Sequence, residues 1–237
     1  MVASCNSHDK VVELLITSGA DIKRVDKDGW DALMIASRNS HDKVMLASQN
    51  GHDKVVELLI NGGADIKRVK ADGWDALMLA SRHGHEKVVE LLINSGADFK
   101  RVDNDGRDAL MHASSDGHEK VVELLINSGA DFKRLDTDGW DALMLASGYG
   151  HYKIVELLIN GGADIKRVEP DGVDALMIAS LIGHDKLVEL LINGGADIKR
   201  VGKDGWDALM LASDNGHDKA VELLINCGAD IKRDRML

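Results

Sequence analysis

The groups in this chain able to hold a metal or move a proton are His and carboxylate side chains, and their spacing decides what they can do. A His follows a Gly at His52, His85, His118, His151, His184 and His217. One per unit, these are expected to bond backbone between helices. His83-Gly84-His85 is a weak metal pair that lacks further ligands. The run Asp136 to Asp141 offers several carboxylates, yet a calcium loop places Gly sixth and a bidentate Glu twelfth. Here Gly139 is fourth and no such Glu follows, so a turn and a helix cap explain the run better. His112 stands where other copies have Leu or Ile, which predicts a hydrogen-bonded core His. Outside the repeating pattern there is no Ser-His-Asp or Cys-His spacing and no phosphate loop. Catalysis needs a unique constellation in a concave pocket, whereas nearly every polar residue here has an equivalent in each copy. No enzymatic activity, cofactor or metal is expected.

The elements that carry these residues recur. Asp72 to Asn104 forms a 33-residue unit, and Asp-Gly pairs start such units at Asp72, Asp105, Asp138, Asp171 and Asp204, with an earlier start at Asp28. In Asp103-Asn104-Asp105-Gly106, Asp first and Gly fourth suit a type I turn at the tip of a finger. Asp75 is placed to cap a short inner helix over Ala76 to Ser81, and Gly84 to end it. His85 to Asn94 follows as an outer helix, with Val88, Val89, Leu91 and Leu92 on one side and Gly96 closing it. Ordering each residue costs roughly 1–2 kcal/mol of backbone entropy, and two short helices bury too little to offset it alone. The units must therefore stack, giving a solenoid held by nearest-neighbour contacts.

The pattern D-x-x-G-x-x-x-L-x-x-A-x-x-x-G-H-x-x-V-V-x-L-L-I-x-x-G-A-D resembles the ankyrin repeat, in register over nearly the whole chain. The resemblance implies an all-α solenoid of stacked helix-turn-helix units with hairpin-like finger loops. Two departures recur. The family's T-P-L-H is here D-A-L-M, as in Asp141-Ala142-Leu143-Met144, and Lys stands where the family has Asn, as at Lys100. Asp can replace the Thr cap and Ala the first-turn Pro, while the bonds usually made by that Thr and His are lost.

A single domain over residues 1–237 is expected. It would comprise a truncated repeat 1–27, an irregular repeat 28–71, regular repeats 72–104, 105–137, 138–170 and 171–203, and a last repeat 204–237. The irregular interval spans 44 residues because Met34 to Val44 is followed at once by a near copy, Met45 to Val55. That is an 11-residue duplication or, equally, a 22-residue deletion from two units, and it predicts a continuous helix across Val44-Met45. Neither end has the polar outer face of a capping repeat, so association through uncapped ends is a second expectation.

A net charge of −11 lacks the basic footprint that phosphate binding demands, so nucleic acid is not an expected partner. No N-terminal apolar h-region and no 18-residue apolar run occurs, so neither secretion nor membrane insertion is expected, and a cytoplasmic or nuclear location follows. Cys5 and Cys227 lie in opposite terminal units, which argues against a disulfide between them.

Variation between copies concentrates in two columns. After the turn Gly stand Trp30, Trp74, Arg107, Trp140, Val173 and Trp206, and before the inner-helix Gly stand pairs such as Arg82-His83, Gly148-Tyr149 and Leu181-Ile182. In the family such columns line the concave groove that binds partners. The resemblance thus implies a protein-binding surface of Trp74, Arg82, His83, Arg107, Trp140, Tyr149, Val173, Leu181, Ile182 and Trp206. Exposed Trp and Arg are hot-spot residue types. The alternative is a structural spacer or self-associating rod whose Trp column only staples the stack. Lys-Arg also recurs, from 23–24 to 232–233, beside Asp65, Asp98, Asp131 and Asp164. These are expected to form exposed cross-repeat ion pairs worth roughly 0–1 kcal/mol each.

Overall fold

A computed structural model describes residues 2–5, 8–39 and 51–231. The continuous helix expected across Val44-Met45 and the Lys-Arg pair at 232–233 lie outside them. Two compact units divide the chain, Met1–Ala130 and Asp131–Leu237. In the first run α1 (Val2–Cys5), α2 (Asp9–Thr17), α3 (Ala32–Asn39), α4 (Gly51–Asn61), α5 (Ala76–Arg82), α6 (Glu86–Asn94), α7 (Ala109–Asp116) and α8 (Glu119–Asn127). The second holds α9 (Ala142–Gly148), α10 (Tyr152–Gly161), α11 (Ala175–Ile182), α12 (Asp185–Asn193), α13 (Ala208–Asp214) and α14 (Asp218–Asn226). Among the described residues the fold is all-α apart from two isolated bridges in the fingers, Val168 with Asp174 and Val201 with Asp207.

Each helix is too short to persist alone, so packing supplies its stability. Inner helices pack on inner helices, α3 on α5 and α5 on α7, then α9 on α11 and α11 on α13. Outer helices do likewise within each unit, and every inner helix packs on the outer helix that follows it. The inner helices α5, α7, α9 and α11 bury their whole Ala-Leu-Met-x-Ala-Ser run, as in Ala142 to Ser147. Outer helices bury a narrower stripe, Val88, Val89 and Leu92 in α6. Leu91, expected on the same side, is half-buried instead, because its position turns to the rim of that stripe.

The caps are as the residue types predict. Asp75, Asp108, Asp141, Asp174 and Asp207 each accept the amide of the residue three positions on, at 2.9–3.0 Å. Finger tips close through the Gly106 amide on the Asp103 carbonyl at 3.0 Å, with Gly106 at φ 78°. Neighbouring fingers are tied by backbone: the Asn104 amide donates to the Asp72 carbonyl at 3.0 Å and Lys203 to Asp171 at 2.7 Å.

Candidate functional site

The His column bonds backbone between helices, as its recurrence predicts. Nε2 of His85 lies 2.9 Å from the Arg38 carbonyl, His118 2.8 Å from Arg82 and His217 3.0 Å from Leu181. Each therefore ties an outer-helix start to the end of the inner helix in the preceding repeat. The ring packs where the inner-helix Gly of the preceding repeat leaves room: a Cβ on Gly84 would sit 2.4 Å from His118 Nδ1, and one on Gly183 2.4 Å from His217 Nδ1. His83 and His85 stack with ring centres 5.8 Å apart, but His83 Nδ1 is 2.8 Å from the Leu79 carbonyl. Their nitrogens are thus turned to separate carbonyls and do not converge on an ion. Among the described residues no group of three or more His, Cys, Asp or Glu could hold a metal.

His112 is 5% exposed, and its Nε2 lies 2.9 Å from Asp103 Oδ2. Asp103 Oδ1 in turn accepts the amides of Asp105 and Arg107, so one carboxylate fixes both the finger and the inner helix. Burial pushes the His112 pKa down and favours the neutral ring, opposed by the Asp103 charge. Asp136 accepts the Asp138 and Trp140 amides in the same way, leaving the Asp-rich turn engaged with its own backbone.

The Lys-Arg column differs from its expectation. Arg200 Nε lies 3.0 Å from the buried cap Asp174, Arg167 Nε 3.5 Å from Asp141, and Arg68 Nε 3.2 Å from Asp31. These contacts are ion pairs by distance without hydrogen-bond alignment at Nε. The exposed column partners sit farther away, Asp197 at 4.0 Å and Asp65 at 3.9 Å. Arg is drawn inward because the desolvated cap carboxylate is the stronger local field. Its Nη1 meanwhile donates to the preceding finger, Arg101 to the Lys67 carbonyl and Arg167 to Lys133. Burial raises the pKa of Asp31, Asp141 and Asp174, and pushes Asp75 up to about 6 against the pull of the Met78 amide and Arg101. Arg follows its cap Asp by 26 positions in the regular copies and by 37 at Asp31 and Arg68. The excess equals the length of the segment repeated within Met34 to Val55, so the contact is kept across the irregular interval.

The four Trp are half-buried, and the rings of Trp30, Trp74 and Trp140 lie on neighbouring residues. Trp74 rests on His112 with ring centres 4.1 Å apart, and Arg82 covers it at 5.3 Å. Trp30 lies between Arg38 at 4.5 Å and Lys70 at 4.1 Å. Trp140 covers Gly148, where a Cβ would lie 3.3 Å from the ring.

Of the residues singled out by variation, Arg107, Val173 and Trp206 are half-buried and Arg82 and His83 exposed. In the first unit Trp74, Arg82 and His83 gather at α5, with His83 against His85 and Arg82 over the Trp, 3.8 Å from Asp116. In the second unit Tyr149 is 60% exposed, Leu181 43% and Ile182 44%. These three sit at the C-terminal ends of α9 and α11, two inner helices packed side by side. Val173 and Trp206 lie at the finger ends of α11 and α13, at the opposite ends of their helices from Leu181 and Ile182. No helix among the described residues is long and apolar enough to cross a membrane.

A family model for ankyrin repeats, in three copies, matches residues 44–136, 95–169 and 143–235. Comparison with the curated proteins gave no match.

Proposed function

The chain belongs to the ankyrin repeat family, whose repeats are protein-interaction modules, and from that premise we propose that it binds a partner protein on its inner-helix face. The observation that carries the reading is the row Tyr149, Leu181 and Ile182. Copies otherwise nearly identical differ here, and the difference places large apolar groups in solvent on adjacent inner helices. Burial of such groups against a partner stabilises a complex by roughly 25 cal/mol per Å² of apolar surface, and exposed apolar patches mark interaction sites. Trp140, covering Gly148 at the root of Tyr149, would hold that row in place. Tyr and the aliphatic pair supply the anchors, and the chain's net charge of −11 favours a partner with a basic rim.

A Tyr149→Ser, Leu181→Ser, Ile182→Ser variant tests this, since all three side chains are exposed and the fold need not change. Loss of the wild-type partner from a pull-down, with unchanged circular dichroism, supports the reading; retention of every partner contradicts it.

The spacer reading is favoured by the Trp column. Trp30 contacts Lys70 at the next finger and Trp74 contacts His112 on the next inner helix, which is what a staple does. It predicts that Trp74→Ala lowers stability whether or not any partner is bound.

A further inference from the structure

The face of α2 that carries Val11 and Leu15 differs from its repeats in one respect: it is open. Val11 is 46% exposed and Leu15 47%, whereas their equivalents Val55, Val88 and Val121, and Leu59, Leu92 and Leu125, are all 0–1% exposed. A shallow apolar cleft lined by Val12, Leu15, Ile16, Ile22 and Leu59 opens beside them. In the last repeat the opposite set is uncovered. Met210 and Val221 are half-buried, while Met144 and Met177, and Val155 and Val188, are 0–1% exposed. The two sets are the complementary halves of the interface that neighbouring repeats form inside each unit.

Polar groups match in the same register. Inside the first unit two outer-helix Lys reach back to the acid of the preceding repeat, Lys54 to Asp9 at 3.5 Å and Lys120 to Glu86 at 3.3 Å, while Lys87 pairs with Glu90 of its own helix at 2.8 Å. Lys10 is the equivalent donor on the open α2 face, and Asp218 the equivalent acceptor on α14; both are exposed. Gly84, Gly150 and Gly183 each lie against the His of the following repeat, whereas a Cβ at Gly216 meets nothing within 4 Å. His8, exposed, is the matching His.

We propose that the α2 face of one copy docks on the α13–α14 face of another. The contact continues the repeat-to-repeat interface, with Lys10 on the second copy's Asp218, His8 Nε2 donating to the Asp214 carbonyl, and Val11 and Leu15 against Met210 and Val221. The contact is heterologous, so further copies add head to tail. It is separate from the inner-helix row and stands or falls without it.

Sedimentation velocity of the full chain from about 1 to 100 µM is the test, a range that brackets interfaces of modest affinity. Mass should rise with concentration. Val11→Asp with Leu15→Asp should abolish the rise; both sites are half in solvent, and circular dichroism checks the fold. Lys10→Asp and Asp218→Lys should each weaken association about three- to tenfold, and an equimolar mixture of those two variants should associate more tightly than either alone. A monomer throughout, which leaves both faces to an unlike partner, overturns the proposal. So does association that survives Val11→Asp with Leu15→Asp, or a mixture no tighter than its components.

Discussion

Gly183→Ala should be among the most destabilising single-methyl additions in the chain, for two separable reasons. At φ 81° an L side chain occupies the left-handed region, which costs about 1–2 kcal/mol. The added Cβ would also lie 2.4 Å from His217 Nδ1. The ring must move, which forfeits its bond to the Leu181 carbonyl, worth about 1 kcal/mol, and adds crowding of about 1–2 kcal/mol. The sum is about 3–5 kcal/mol. Gly195→Ala isolates the first term, because φ there is 92° and nothing lies within 4 Å. It should cost only about 1–2 kcal/mol. In Gly183→Ala with His217→Ala the clash is gone and the bond is lost only once, so the double variant should lose about 2–3 kcal/mol less than the two single losses summed. Urea unfolding followed by far-UV circular dichroism gives all four values. The reasoning fails if Gly183→Ala costs no more than Gly195→Ala, or if the pair is additive.

Other substitutions probe the buried polar groups. Asp75 has its folded pKa raised from 3.8 to about 6, so its contribution is full below pH 4 and is lost as pH rises through 6. Asp75→Asn keeps a capping side chain and should remove up to about 2–3 kcal/mol of that pH dependence, seen as a variant that gains on the wild type between pH 4.5 and 7. Arg200→Ala should cost about 1–3 kcal/mol by leaving the Asp174 carboxylate without its counter-charge, whereas Lys199→Ala should stay within about 0.5 kcal/mol; thermal melts rank the two. His112→Leu installs the side chain of the other repeats yet strands Asp103 Oδ2, so a loss of about 1–3 kcal/mol is expected at pH 7.5. Because the His112 pKa is lowered on folding, the wild-type advantage is present above pH 6.5 and shrinks as pH falls through the folded value; denaturant midpoints at several pH values follow it.

The repeat, its caps and its stacking were legible in the sequence because each rests on local chemistry. Asp75 caps, Gly106 turns and Val88-Val89 points inward for reasons contained within a few residues. His112 was legible too, since a His in a Leu column needs a partner, although Asp103 was not named. What escaped the sequence depends on competition between partners. Arg200 stands three positions from exposed Asp197 and 26 from buried Asp174, and only the fold makes the distant carboxylate the nearer and less screened one. The constant spacing of 26 was the available signal. The Trp column left two expectations open, a binding surface and a staple, because the sequence does not say where a flexible neighbour such as Lys70 or Arg82 will lie. Tyr149, Leu181 and Ile182, by contrast, stood out as variation and are exposed.

A photo-crosslinking residue placed at Tyr149 or Ile182, compared with one at exposed Glu189 on the outer helix α12, tests most directly whether partners dock on the inner-helix face. Capture of the same protein from positions 149 and 182, and not from 189, is the predicted result. Capture from 189 alone would place the partner on the outer helices and contradict the account.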